Sequence, residues 1–141
     1  DIVAPIDLAK ETKQKLTLCA DMAKWFNSKV HIIIPAEGDE YLKNQLNRNL
    51  NYSKQFLLER KIDFDVKVGE EKGSAFVKET IDYADKIGAD LITIINLKVN
   101  SLIGMIGGGS EQDMIMNEAK IPVMIANPFQ TTTYGKGVIF G

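Results

Sequence analysis

Apolar residues fall along this chain in short continuous runs separated by longer stretches of helical spacing. Ile2 to Ile6 is apolar and bounded by Asp7, and Val30 to Ile34 is rich in β-branched residues and stopped by Pro35. Continuous rather than alternating runs are what strands covered on both faces require. Between the two, Leu16, Cys19, Ala20, Ala23 and Phe26 recur at helical spacing, with Lys13, Lys15, Asp21 and Lys24 at the other positions, which predicts one amphipathic helix. Leu42, Leu46, Leu50 and Leu57 mark a second stripe from Asp39 to about Arg60, with an Asn-rich outer face of lower helix propensity. A shorter strand is expected at Ile62 to Val68.

Gly69 and Gly73 punctuate the next connection, and Val77, Ile81 and Ala84 then form a third helical stripe ending near Gly88. A very apolar strand follows at Leu91 to Ile95. A loop runs from Asn96 to Gly109, and Ser110 is a good N-cap for a helix reaching about Lys120. Pro122 opens a last strand, Val123 to Ala126. Five strands alternating with four helices, one helix in each connection, match right-handed parallel crossovers. The fold class expected is α/β, a doubly wound five-stranded parallel sheet with helices on both faces. The domain is expected over 1–128. The tail, 129–141, changes character, with three threonines, Gly135-Lys136-Gly137 and an apolar end at Val138 to Phe140. It reads either as a terminal extension that packs locally or as an arm docking on a partner subunit.

Composition narrows the function classes. The chain has 141 residues, suited to one domain, and carries 17 Lys plus Arg against 19 Asp plus Glu, a net charge of -2. No nucleic acid and no membrane is therefore expected as a partner through bulk charge. No stretch approaches the ~20 apolar residues of a membrane span. One Cys and one His exclude an internal disulfide and a Cys/His zinc site, and point to a reducing cytoplasm. No signal peptide is evident, and the start at Asp1 leaves open an excised domain or one half of a longer protein.

Ligands of open α/β sheets bind beyond the carboxyl ends of the strands, where strand order reverses. That edge carries Asp7, Pro35, Asn96 and the run Gly107-Gly108-Gly109-Ser110. Three glycines let backbone amides approach a ligand, and the helix N-terminus behind them suits an anion, phosphate above all. Asp7 would accept a hydrogen bond from an adenine amino group or a ribose hydroxyl. Against a phosphate stands Glu111, which places a carboxylate where the anion would rest, and which a helix N-terminus favours without any ligand.

These residues carry a family resemblance. Over Ile2 to about Pro128 the chain resembles the universal stress protein family. The matching pieces are Val3-Ala4-Pro5-Ile6-Asp7, Gly73-Ser74, Gly88-Ala89-Asp90-Leu91-Ile92, Gly109-Ser110 and Ile121-Pro122-Val123-Met124-Ile125. The resemblance implies strand order 3-2-1-4-5 and a small cytoplasmic stress-response module that is a regulator rather than an enzyme. It also implies a homodimer or a paired sister domain, held through the last strand at Val123, Met124, Ile125 and Ala126. Its nucleotide contacts carry over to Pro5, Ile6 and Asp7 near the base, Pro35 on its flank, and Gly109 and Ser110 at the phosphates, with ATP or AMP as the ligand. In the ATP-binding branch the fourth strand is followed by Gly, two residues, Gly, nine residues, then Gly-Ser. The first two glycine positions fall here on Asn96 and Val99. Gly104 and Gly107 share the two-residue spacing but lie too close to Gly109 to take over those roles. The expectation is a regulatory module acting through self-association and protein contact, with adenine-nucleotide binding weakened or absent. The alternative is an ATP or AMP sensor using the crevice at Asp7 and Gly109-Ser110.

The remaining chemistry-bearing residues read as structural. His31 has no acidic neighbour in sequence and lies at the opposite end of its strand from the crevice, so no catalytic residue is expected. Cys19 suits a buried small hydrophobe. Glu37, Asp39 and Glu40 suit a helix start better than a metal, and no metal site is expected. The loop Leu97 to Ile106 is unusually apolar for a surface connection. It is expected to meet a protein partner or to fold over the crevice.

Overall fold

A computed structural model of the chain describes residues 1–8, 12–95 and 119–126. Its elements are β1 (Ile2–Pro5), α1 (Thr12–Phe26), β2 (Val30–Ile34), α2 (Glu40–Glu59), β3 (Phe64–Val68), α3 (Ser74–Ile87), β4 (Leu91–Ile95) and β5 (Val123–Ala126). The loop Asn96 to Gly109, the helix expected from Ser110 as far as 118, and the tail 129–141 lie outside the described residues.

All pairings are parallel, and the order is β3-β2-β1-β4-β5, as expected. The connections β1 to β2 and β2 to β3 move in one direction across the sheet, and β3 to β4 returns across it. Right-handed crossovers therefore place α1 and α2 on one face and α3 on the other. Side chains obey that division. Ile2, Ala4 and Ile6 join Val30, Ile32 and Ile34 in a core with Leu16, Cys19, Ala20 and Ala23 of α1 and Leu46, Phe56 and Leu57 of α2. Val3, Ile33 and Ile92 point the other way, into a second core with Phe76 and Ala84 of α3 and Ile121. Neighbouring strand residues thus serve different cores, which is why the runs are continuously apolar.

The helices end where their sequences direct. Asp39 caps α2 by accepting from the Leu42 N–H at 2.9 Å. Gly88, at φ 68, closes α3 in the left-handed conformation. Ser53 and Thr80 lie on buried stripes and satisfy their hydroxyls locally, donating to the Asn49 and Phe76 carbonyls at 2.7 and 2.8 Å.

Two positions on α1 depart from the expected pattern. Phe26, placed on the buried stripe, is 67% exposed. It is the last residue of α1, where Asn27 at φ 50 turns the chain back toward β2, and the helix has there run out of sheet to cover. Lys15, assigned to the polar side, is only 3% exposed. Lying four residues before Cys19, it shares the buried face.

Two glycines are required for different reasons. At Gly69 a Cβ would stand 2.9 Å from the Ile34 carbonyl oxygen and 2.6 Å from Glu79 Oε1, because the strand end is drawn in by a Gly69 N–H to Ile34 C=O bond of 2.7 Å. At Gly88 a Cβ has open space but a backbone that L-residues resist. Urea denaturation should find Gly69→Ala destabilised by about 1–3 kcal/mol, the cost of overpacking against backbone. Gly88→Ala should lose about 1 kcal/mol.

Candidate functional site

Strand order reverses between β1 and β4, so the crevice expected in this sheet opens at the carboxyl end of β1. Pro5 and Ile6 stand at that end, and both are buried. The Ile6 N–H donates to the Ile33 carbonyl at 2.9 Å, extending the β1 to β2 pairing by one step. Asp7 then emerges exposed. Its main-chain carbonyl accepts from Asn49 Nδ2 of α2 at 2.7 Å. Pro35, half-buried, follows β2 on the same edge. The fold thus brings Pro5, Ile6, Asp7 and Pro35 to one edge. Gly109 and Ser110, with Asn96, Val99 and Glu111, lie outside the described residues.

The flank of the crevice beyond β2 is held by hydrogen bonds. The Glu79 carboxylate of α3 accepts from the Glu70 and Glu71 N–H groups at 2.8 and 3.0 Å. The Glu71 carbonyl in turn accepts from the Ala36 N–H at 2.9 Å. Glu37 is turned inward rather than into water. Its side chain is 12% exposed, accepts from the Asp39 N–H at 3.1 Å, and stands 4.0 Å from the Lys72 ammonium. Among the described residues no three His, Cys, Asp or Glu side chains converge as a metal site.

The residue that pattern reading missed is Lys15. From the second turn of α1 its ammonium donates to the Pro5 carbonyl, at the end of β1. Burial holds its pKa below the usual lysine value, opposed by the negative charge of Asp7 and by Cys19. Cys19 is pushed up to about 11 by burial, against a hydrogen bond from Thr93 and the charge of Lys15. Thr93 Oγ1 lies 4.0 Å from the Cys19 sulfur and 3.4 Å from the Val3 carbonyl. A buried ammonium beneath the strand ends was signalled in the sequence only by its spacing from Cys19.

His31 lies toward the amino end of β2, away from this crevice. In space it does have acidic neighbours. Asp65 stands in register with it on β3, its Oδ1 at 3.0 Å from His31 Nδ1, and Asp1 Oδ2 is 3.6 Å from Nε2. Lys29 binds the other Asp65 oxygen at 3.3 Å, and Tyr83 of α3 meets the imidazole edge-on with ring centroids 6.4 Å apart. The cluster ties β2 to the edge strand β3.

Lys15 makes stability respond to pH with a definite sign. Its folded pKa is lowered, so between that value and the unfolded value of 10.5 the unfolded chain holds more protons, and stability rises with pH across that window. Cys19 acts oppositely above its unfolded value of 9.0. In Lys15→Met the Cys19 contribution remains and, without the lysine charge that lowers its pKa, falls further as pH rises, so the comparison keeps its sign. In urea denaturation at a series of alkaline pH values, wild type should gain stability relative to Lys15→Met as pH rises. A constant difference would contradict the buried ammonium.

No protein-family model matches the chain, and no curated protein matches it by sequence. Solved structures do match. A universal stress protein from Archaeoglobus fulgidus aligns over 88% of this chain and 96% of its own at 18% identity, with a TM-score of 0.68. A universal stress protein in complex with cAMP aligns over 89% and 94% at 16% identity, with a TM-score of 0.69. The Archaeoglobus fulgidus protein in complex with dAMP aligns over 88% and 94% at 16% identity, with a TM-score of 0.65. The parallel sheet in the order β3-β2-β1-β4-β5, reversing at β1 and covered on both faces, is the universal stress protein fold.

Proposed function

We propose that this chain is a universal-stress-type regulatory module that acts through self-association and protein contact in a reducing cytoplasm, with adenine-nucleotide binding weakened or absent and no catalysis of its own. The observation that carries the reading is the contrast between the two edges of the sheet. β3 sets Asp65 and Lys67 among its apolar residues, charges that discourage pairing with another sheet. β5 is Val123-Met124-Ile125-Ala126, without a charge, and among the described residues only β4 pairs with it. An uncharged apolar edge strand is a template for a second strand, from another copy or a sister domain. The apolar run Leu97 to Ile106, outside the described residues, adds a second surface for a protein partner on grounds of sequence alone.

Weakened nucleotide binding is supported from two sides. In sequence, Asn96 and Val99 stand where ATP-binding relatives keep glycine, and Glu111 follows Ser110. In the fold, Pro5 and Ile6 are buried and the Pro5 carbonyl already accepts from Lys15. The second reading, an ATP or AMP sensor using Asp7 and Gly109-Ser110, is favoured by the similar structures that hold cAMP and dAMP.

Sedimentation velocity at tens of micromolar should show a dimer for the wild type and a monomer for Met124→Lys, which puts a charge on the open strand. A wild-type monomer would sink the self-association reading. Isothermal titration with AMP and ATP, after mass spectrometry has excluded co-purified nucleotide, should show no binding in the micromolar range. Micromolar binding would establish the sensor instead.

A further inference from the structure

The inference concerns the outer face of α2 and rests on the reading of the chain as a module that works through protein contact. The carboxylates of that helix stand at its ends. Glu40 lies in the first turn, where the helix dipole favours it, and Glu59 closes the last turn and accepts from Gln55 Nε2 at 3.1 Å. Between them, from Tyr41 to Leu58, there is no acid, while Lys43, Arg48 and Lys54 supply positive charge. Lys43 and Arg48 are exposed, and the ion pairs among the described residues take up Lys29, Lys72 and Lys78 but neither of these two. A merely solvated helix face, in a chain with 17 basic and 19 acidic residues, would mix the signs. Helix α3 does so, with the Lys78 ammonium 3.2 Å from Asp82 one turn on. Helix α2 forgoes that support.

The same face shows side chains of the kind that anchor protein interfaces. Tyr41 is 67% exposed, Leu58 59% and Tyr52 40%, and tyrosine and arginine dominate the binding energy of such surfaces. Tyr41 to Leu58 covers about 26 Å of helix. We propose that the outer face of α2 is a docking surface for an acidic segment of a partner protein, whose carboxylates meet Lys43 and Arg48 and whose apolar side chains pack on Tyr41, Tyr52 and Leu58. The partner supplies the negative charge that α2 lacks along its length. A nucleic acid fits the face less well, because its phosphates recur every few ångströms and the exposed cations here are sparse. A membrane fits it less well too, because Asn44, Arg48 and Asn51 are exposed where an interfacial helix needs apolar residues.

The probe is a fluorescein-labelled peptide of Glu, Ala and Leu, about 17 residues long to match that span as a helix, beside the same peptide with Gln for every Glu. Anisotropy titrations with the full chain should give a Kd of about 100 μM or tighter for the acidic peptide, weakening as salt is raised, and at least about tenfold weaker binding of the Gln peptide. Arg48→Glu should weaken the acidic peptide about fivefold or more, and Tyr41→Ala about fivefold. Lys86→Glu, the same change of net charge at an exposed site on α3, should leave the affinity unchanged. No binding of the acidic peptide up to ~1 mM, equal affinity for the Gln peptide, or equal weakening by Arg48→Glu and Lys86→Glu would overturn the proposal. So would tighter binding of a labelled oligouridylate or of phosphatidylserine vesicles than of the peptide, lost in Arg48→Glu, which would give the face to nucleic acid or to a membrane. Sedimentation velocity should show the same dimer for Arg48→Glu as for wild type, and loss of the dimer would assign the face to a second copy and overturn the proposal. A wild-type monomer that still binds the acidic peptide would refute self-association and support this docking surface. Circular dichroism checks the fold of each variant. Should Arg48→Glu not fold, Lys43→Glu carries the same comparison under the same criteria.

Discussion

A parallel sheet cannot be closed by hairpins, and every strand must be reached by a crossover that covers one face or the other. That constraint organises this chain. Ile2 and Ala4 point under α1 and α2 while Val3 points under α3, so a strand of four residues serves two cores. Because the chain moves outward from β1 to β3 and then returns to β4, the reversal falls beside β1. The same topology that buries the apolar runs also brings their carboxyl ends to one side and, among the described residues, puts β5 at an edge.

Within that frame Lys15 is the costly element. A lysine shut away from water loses several kcal/mol of hydration, to order of magnitude, unless partners replace it. Here the Pro5 carbonyl and the charge of Asp7 act as partners, and both belong to the chain at the carboxyl end of β1. The ammonium thus joins α1 to β1 in a single contact.

The two sheet edges differ in the charge that they present. On β3, Asp65 is engaged by His31 and Lys29, and Lys67 is exposed, so the edge presents charge beside its apolar residues. On β5 no ionisable side chain interrupts the strand. A second copy meeting β3 would have to desolvate charges, whereas one meeting β5 would bury apolar surface and complete backbone hydrogen bonds. The fold is shared with proteins that hold adenine nucleotides, yet fold alone does not transfer a ligand.

Hydrophobic periodicity by itself determined the order of strands and helices, the bounds of α2 between Asp39 and Arg60, and the end of α3 at Gly88, because those signals are local and repeat over several turns. It also placed Asp7 and Pro35 at one edge, since strand ends in a parallel sheet share a direction. Only the tertiary structure decided that Lys15 is buried, that Phe26 is exposed, and that His31 meets Asp65. Each depends on a neighbour distant in sequence: the carboxyl end of β1 for Lys15, the limit of the sheet for Phe26, the register between β2 and β3 for His31. A stripe on a helix tells which side faces inward. It does not tell what waits there, and for a charged side chain that partner determines whether burial is tolerated.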